Sequence, residues 1–241
     1  MRLILHAGTH KTGTTSIQKV LSDNRSWLRH HGLIYPDDDG VRHHHEFAGD
    51  FTGSPKRSAR GVQFLDGVRT QFESPRDVIL ISSESIYRHI EGYNDFEHFA
   101  DADYWVRRDG YLRRLAEALH GFDVTVLLFF RERQSFARSL YAELVLSKKR
   151  WQGSPGEFVA EFCHWFEYER QIATFKAVFS NVRTLSYEKA TEQGLIRTFF
   201  RTIEFPMPPN ADQIWKRKTS RVVKFRRFFD ETVSARYRVA R

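Results

Sequence analysis

A glycine-punctuated loop near the amino terminus constrains the fold of this chain more than any other feature. Three apolar residues, Leu3 to Leu5, lead into the loop, and apolar residues at helical spacing follow it from Ile17 onward. A strand, a loop and a helix in this order bring backbone N–H groups together at a helix N-terminus, where they bind anions. Gly8 and Gly13 have the G-x-x-x-x-G spacing of such a loop. The sequence therefore predicts a phosphate-binding loop after the first strand of an α/β domain.

The residues around the second glycine depart from the pattern of nucleotide hydrolases. In the Walker loop this glycine is followed by Lys, which reaches the β- and γ-phosphates, and by Ser or Thr, which binds Mg²⁺. Here Gly13 is followed by Thr14, Thr15 and Ser16, and the lysine, Lys11, lies within the loop. We expect this lysine beside a bridging oxygen, with the hydroxyls and amides around the terminal anionic group.

The run Lys11-Thr12-Gly13-Thr14-Thr15 resembles the 5′-phosphosulfate loop of the sulfotransferases that use 3′-phosphoadenosine 5′-phosphosulfate (PAPS). The family signature reads Lys-Ser/Thr-Gly-Thr-Thr, and the run matches it at every position. The resemblance implies that residues from His10 to Ser16 bind the donor, that Lys11 is catalytic, and that no metal is required. It also implies a P-loop NTPase-like three-layer sandwich, in which helices flank a central, mainly parallel β-sheet.

Buried strands alternate with helices along the rest of the chain. Val78 to Ile81 and Val124 to Phe130 are continuous apolar runs, typical of strands buried on both faces of a parallel sheet. Val182 to Leu185 is a further strand, and apolar periodicity predicts helices between the strands, one of them over 157–179. The aromatic residues of that helix are expected in the core. The carboxyl ends of parallel strands share one edge, where we expect the Lys11 loop, Glu84, Arg131 and Tyr187.

A PAPS-dependent enzyme needs a second anion pocket, for the 3′-phosphate of the donor. In the family that this chain resembles, an Arg at a strand end and a Ser eight residues later bind this phosphate, and Arg131 and Ser139 have that spacing. An arginine offers a planar fork to phosphate oxygens, and a serine early in the next helix reaches the same oxygens. Glu132 and Arg133 differ from the Asn or Asp and the Pro of many members.

Two other segments match the family more loosely. Tyr187 resembles the strand-end tyrosine that lies by the adenine in the family, and a core tyrosine is the alternative. Lys218 and Thr219 fall where family members return basic and hydroxyl groups to the nucleotide.

The general base that an acceptor hydroxyl requires has two candidate positions. Glu84 follows a buried strand directly, and a helix cap or a structural ion pair is the alternative role for it. The resemblance to bacterial-type members also covers residues 44–48, so that His44 or His45 is a candidate base or acceptor ligand. Adjacent histidines without a spaced partner do not predict a zinc site. The sequence leaves this choice open.

Composition and charge set outer limits on these predictions. A chain of 241 residues with 41% hydrophobic residues suits one α/β domain over 1–241. The single cysteine, Cys163, and the lack of an apolar run of about 18 residues favour a reducing, cytoplasmic location. The segment 215–241 has ten Lys or Arg against two acids, equal to the whole formal net charge of +8. We expect a helix packed on the domain, and peripheral contact with a membrane surface is one of its possible roles.

These observations predict a PAPS-dependent sulfotransferase of bacterial type. It would move a sulfuryl group to a hydroxyl or amine of a carbohydrate or another small hydroxylated acceptor, and leave adenosine 3′,5′-bisphosphate (PAP). Nucleic acid is not an expected partner, and the oligomeric state is not indicated. The alternatives are a P-loop kinase using ATP, and a non-catalytic binder of nucleic acid or membrane surfaces through the basic segment.

Overall fold

The computed structural model of the protein describes residues 1–36, 42–54, 60–93, 102–147, 151–209 and 211. Its five strands form one sheet in the order β2-β3-β1-β4-β5, and all neighbouring strands are parallel. The strands are β1 (Arg2–Gly8), β2 (Leu33–Ile34), β3 (Val78–Ser82), β4 (Asp123–Phe130) and β5 (Asn181–Ser186).

Helices connect and cover the strands. The described α-helices are α1 (Thr14–Asp23), α2 (Arg25–His30), α3 (Arg42–Asp50), α4 (Arg60–Arg69), α5 (Tyr104–Ala118), α6 (Arg133–Ala142), α7 (Pro155–Glu161), α8 (Tyr168–Lys176), α9 (Tyr187–Glu192) and α10 (Leu195–Thr202). Two 3₁₀ helices cover Glu84–Tyr87 and Cys163–Phe166, and a π-helix covers Glu143–Ser147. None of the helices in the described ranges is both long and apolar enough to cross a membrane.

The central strand β1 packs apolar side chains on both faces of the sheet. Leu3, Leu5 and Ala7 belong to a core that they share with α3, α4, α5 and α8. Ile4 points to the opposite face and belongs to a second core with α1, α2, α9 and α10. This alternation follows from the period of two along a strand. The three-layer α/β architecture predicted from the sequence is therefore confirmed.

The order of the strands makes the carboxyl end of β1 the candidate position for a ligand site. The chain passes from β1 through α1 and α2 to the edge strand β2, and from β3 through α5 to β4 on the other side of β1. In open α/β sheets, ligands bind outside the carboxyl ends of the strands where the strand order reverses in this way. The loop between β1 and α1 lies at that point.

The continuous helix predicted over 157–179 is wrong. α7 ends at Glu161, a 3₁₀ helix follows, and α8 begins at Tyr168. The break lets aromatic residues of α7 and of the break itself enter one hydrophobic cluster, which contains Phe158, Phe162 and Trp165. Their predicted place in the core is confirmed. The basic segment 215–241 lies outside the described residues, so its helix and the single domain over 1–241 stay predictions.

Candidate active site

The end of β1 is fixed tightly against β4. A Cβ atom on Gly8 would lie 2.2 Å from the carbonyl oxygen of Phe129, so that only glycine permits this approach of the two strands. The N–H of Thr9 donates to the same carbonyl oxygen at 2.8 Å, and the Thr9 hydroxyl accepts from the N–H of Arg131 at 3.1 Å. The loop after β1 therefore starts from a position that is set by the end of β4.

The loop itself has the backbone of an anion-binding nest. Lys11 and Gly13 both have left-handed φ angles, of 66° and 75°. Residues of alternating hand turn successive N–H groups toward one point, and a non-glycine residue in this region costs about 1–3 kcal/mol. No side chain caps α1 at its N-terminus, and the N–H groups of Thr14 and Thr15 are among those for which a helix has no acceptor of its own. The loop and the first turn of α1 can together bind an anion.

Lys11 has a carboxylate partner that the sequence did not indicate. Its Nζ lies 3.7 Å from Oε2 of Glu143, the first residue of the π-helix after α6. Single π-turns occur frequently at functional sites. The contact joins residues 132 positions apart, so only the fold reveals it. A bound anion at the loop would compete with Glu143 for the Lys11 ammonium group.

Arg131 joins the loop to the ends of β4 and β5. Its Nη1 donates to the carbonyl oxygen of Lys11 at 3.1 Å, its Nε donates to Oγ of Ser135 at 2.8 Å, and its guanidinium carbon lies 5.4 Å from the centre of the Tyr187 ring. Lys11, Arg131 and Tyr187 thus meet as expected. Ser135 was missed by the sequence analysis, which selected Ser139. Ser139 lies one turn further along the same face of α6.

Glu132 caps the start of α6, where neither Asn or Asp nor Pro stands. Its carboxylate accepts from the N–H groups of Gln134 and Ser135, at 2.9 and 2.7 Å. The carboxylate of Glu188 accepts in turn from the N–H of Glu132 at 3.1 Å. An acidic N-cap satisfies orphan donors and complements the helix dipole. Glu132 therefore stabilises the start of α6, which positions Arg131 and Ser135.

Glu84 lies at the same edge of the sheet, after β3. Its Oε1 is 3.9 Å from Nδ1 of His10 in the loop, and Nε2 of His10 is 2.5 Å from Nη1 of Arg88. The other oxygen, Oε2 of Glu84, is buried and has no hydrogen-bond partner among the described residues. A buried carboxylate oxygen without a hydrogen-bond donor lowers the folding stability unless a ligand supplies the donor. Glu84 therefore places a carboxylate beside the loop.

His44 and His45 have different surroundings. Nε2 of His44 donates to the carbonyl oxygen of Pro36 at 2.7 Å, and its Nδ1 accepts from the N–H of Ser82 at 3.0 Å. Both ring nitrogens of this fully buried residue are thus engaged with the backbone, which makes it a structural link between α3 and β3 rather than a proton acceptor. Nδ1 of His45 lies 2.9 Å from Oγ of Ser83, at the end of β3. Lys218 and Thr219 lie outside the described residues.

A buried histidine beneath the loop makes the folding stability depend on pH. Nδ1 of His6 lies 2.8 Å from Oγ of Ser82, and burial lowers the pKa of His6 from 6.5 to about 3. Between these values the unfolded chain binds a proton that the folded protein does not bind. His6 therefore contributes a loss of stability as the pH falls from 6.5 toward 3, up to about 5 kcal/mol.

We expect His6→Asn to reduce the dependence of the unfolding free energy on pH in this window, measured by urea denaturation at several pH values. His120→Asn is the matched control, because His120 is exposed. Parallel curves for wild type and His6→Asn would show that His6 is not kept neutral by the fold.

Comparison with known proteins gives a likeness of fold. No family model and no curated protein matches the chain. Among solved structures, a sulfotransferase domain from the curacin biosynthetic pathway matches 90% of this chain and 78% of its own, with a TM-score of 0.50 and 12% identity. A tRNA delta(2)-isopentenylpyrophosphate transferase from Staphylococcus epidermidis matches 84% and 98%, with a TM-score of 0.35 and 12% identity. A tRNA isopentenylpyrophosphate transferase from Bacillus halodurans matches 83% and 96%, with a TM-score of 0.26 and 13% identity.

At these identities the likeness concerns the fold alone, and the two lower TM-scores carry no argument. The chain has an α/β fold of the P-loop type, with a parallel five-stranded sheet and a glycine-containing loop at the carboxyl end of β1, in which Lys11 and Gly13 have left-handed φ angles. What binds there is a question for the side chains of the site.

Proposed function

We propose that this protein transfers a sulfuryl group from PAPS to a hydroxyl or amine of a small acceptor, with carbohydrates and other hydroxylated molecules as the first candidates. The observation that carries the proposal is the contact between two anion-binding groups, the Lys11 loop and Arg131, whose Nη1 donates to the carbonyl oxygen of Lys11. PAPS has two anionic groups, the 5′-phosphosulfate and the 3′-phosphate. A site with two neighbouring anion-binding groups suits this donor.

The loop supplies what the 5′-phosphosulfate requires. The N–H groups at the start of α1 and the hydroxyls of Thr14, Thr15 and Ser16 would bind phosphate and sulfuryl oxygens. Lys11 would leave Glu143 and neutralise the bridging oxygen, on which negative charge develops as the sulfur–oxygen bond breaks. By analogy with phosphoryl transfer, the transition state is loose and in line, so that positioning and charge stabilisation supply most of the catalysis.

The 3′-phosphate would bind between Arg131 and the first turns of α6. The guanidinium carbon of Arg131 lies 5.4 Å from the centre of the Tyr187 ring. The edge of this ring would contact the adenine of the same nucleotide. Ser135 and Ser139 follow each other on one face of α6, and their hydroxyls are suitable donors to phosphate oxygens. This assignment adds Ser135 to the residues predicted from the sequence.

Glu84 would act as the general base. Its unpartnered Oε2 would accept the proton of the acceptor hydroxyl while the acceptor oxygen bonds to sulfur and the bond from sulfur to the leaving phosphate oxygen breaks. PAP then leaves as an anion, and the sulfated acceptor is released. His45 is the second candidate for the base, since its Nδ1 faces Ser83 and Ser85 at the same strand end.

The proposal is tested by incubating the protein with PAPS labelled in its sulfur and a panel of hydroxylated and amine acceptors, without metal. We expect labelled product together with an equal amount of PAP. The parallel reaction uses ATP labelled in its γ-phosphate and Mg²⁺. Transfer of phosphate in the second reaction and none in the first would support the kinase and overturn the proposal.

A further inference from the structure

The ring of His10, in the loop between β1 and α1, lies between the side chains of Glu84 and Arg88, which belong to the segment after β3. Glu84 begins the 3₁₀ helix Glu84–Tyr87, and Arg88 directly follows it. Nδ1 of His10 is 3.9 Å from Oε1 of Glu84, and Nε2 of His10 is 2.5 Å from Nη1 of Arg88. A ring nitrogen of the loop therefore lies 3.9 Å from the carboxylate that the proposed function assigns as base.

The contact with Arg88 determines the protonation of this ring. A guanidinium group is always protonated in proteins and only donates hydrogen bonds. Nε2 of His10 must therefore accept, which leaves the single proton of a neutral imidazole on Nδ1. This N–H is the atom of His10 that faces Glu84.

A buried arginine, Arg108, anchors the backbone of the turn that carries Arg88. Arg108 on α5 donates from Nη1 to the carbonyl oxygens of Ile86 and His89, at 2.8 and 2.6 Å. These two carbonyls flank Arg88 in the chain, so the turn that bears Arg88 is anchored in the core. The backbone from which the Arg88 side chain reaches His10 is thus fixed by the core.

We propose that His10 is a positioning residue for the base. Arg88 fixes the Nδ1–H tautomer of His10, and this N–H faces Oε1 of Glu84 at 3.9 Å. The N–H dipole favours the orientation of the carboxylate in which Oε2 is directed to the acceptor hydroxyl. The proposal rests on the proposed function. Because His10 is next to Lys11 in the loop, the group that holds the leaving oxygen and the group that orients the base are adjacent in one segment.

Two substitutions of His10 separate positioning from a merely structural role. The amide of Asn can donate close to the position of Nδ1, and the amide of Gln reaches the position of Nε2. We expect His10→Gln and Arg88→Met to lower kcat for release of PAP from PAPS by about 10²-fold, within the range of a general base. His10→Asn should recover at least about tenfold of this loss. Arg88→Met, which lies outside the loop, should keep the affinity for PAP within about threefold of wild type, and His30→Asn, on the surface, is the control.

A second measurement does not depend on turnover. Long-range nitrogen–proton NMR of the wild type should show His10 as the neutral Nδ1–H tautomer, and Arg88→Met should lose this preference. An Nε2–H or doubly protonated His10 in the wild type, or equal kcat values for His10→Asn and His10→Gln, would overturn the proposal. If the wild type does not bind PAP, the proposed function fails, and the role of His10 fails with it. The NMR result would in that case describe only the contact between His10 and Arg88.

Discussion

Lys11→Met will lower the rate of sulfuryl transfer from PAPS by about 10³-fold, the cost of removing one charge-stabilising group from a transition state. Methionine keeps the length of the side chain and pays the same cost for the left-handed φ of 66° at this position. The loop should therefore keep its shape and lose only its cation. Since the developing charge on the leaving oxygen is greatest in the transition state, kcat should fall far more than the affinity for PAP.

The control for this prediction is Lys19→Met, on the same helix that the loop enters. Lys19 is exposed and pairs with Asp23 at 2.8 Å, away from the loop. Its replacement should leave both the rate and PAP binding near wild type. Initial rates of PAP release and calorimetric titration measure the two quantities. A Lys11→Met protein that retains transfer within about threefold of wild type would remove Lys11 from the chemistry.

Arg108→Met will lower the free energy of unfolding by about 3 kcal/mol or more. The fully buried guanidinium donates to the carbonyl oxygens of Ile86 and His89 and to Oε1 of Gln171. Removing it leaves three buried acceptors without donors, each costing about 1–3 kcal/mol. Burial lowers the pKa of Arg108, so relief of its desolvation offsets part of this loss. Urea denaturation at neutral pH measures the difference.

Arg113→Met is the matched control on α5, because Arg113 is exposed and pairs with Asp109 on the helix surface. Its unfolding curve should coincide with that of the wild type. Arg108→Met should also slow PAP release where it is still folded, since the turn that carries Arg88 loses its anchor. Wild-type stability in Arg108→Met would contradict the anchoring role.

The sequence predicted the strands and the loop because their signals are local. Continuous apolar runs identified β3 and β4, and the glycine spacing with Lys11 identified the loop at the end of β1. The meeting of Arg131 and Tyr187 with the loop followed from one rule, the shared carboxyl edge of parallel strands. These inferences required no knowledge of side-chain packing.

The remaining features depend on contacts between distant segments. At the break between α7 and α8, aromatic residues of α7 and of the break itself pack into one cluster, which helical periodicity does not indicate. Glu143 reaches Lys11, and Arg88 reaches His10, only because the sheet brings their elements together. His44 was a reasonable candidate for the base until both of its ring nitrogens were found bound to the backbone. Residue type alone does not separate a structural histidine from a reactive one.

The central claim is that the site binds a nucleotide with a 3′-phosphate. Calorimetric titration of the wild type with PAP, AMP and ATP, without metal, tests it most directly, with Arg131→Ala titrated alongside. We predict micromolar binding of PAP, about −8 kcal/mol, at least about tenfold weaker binding of AMP and ATP, and a loss of this preference in Arg131→Ala. Binding of ATP as tight as that of PAP, or no binding of any nucleotide, would contradict the account.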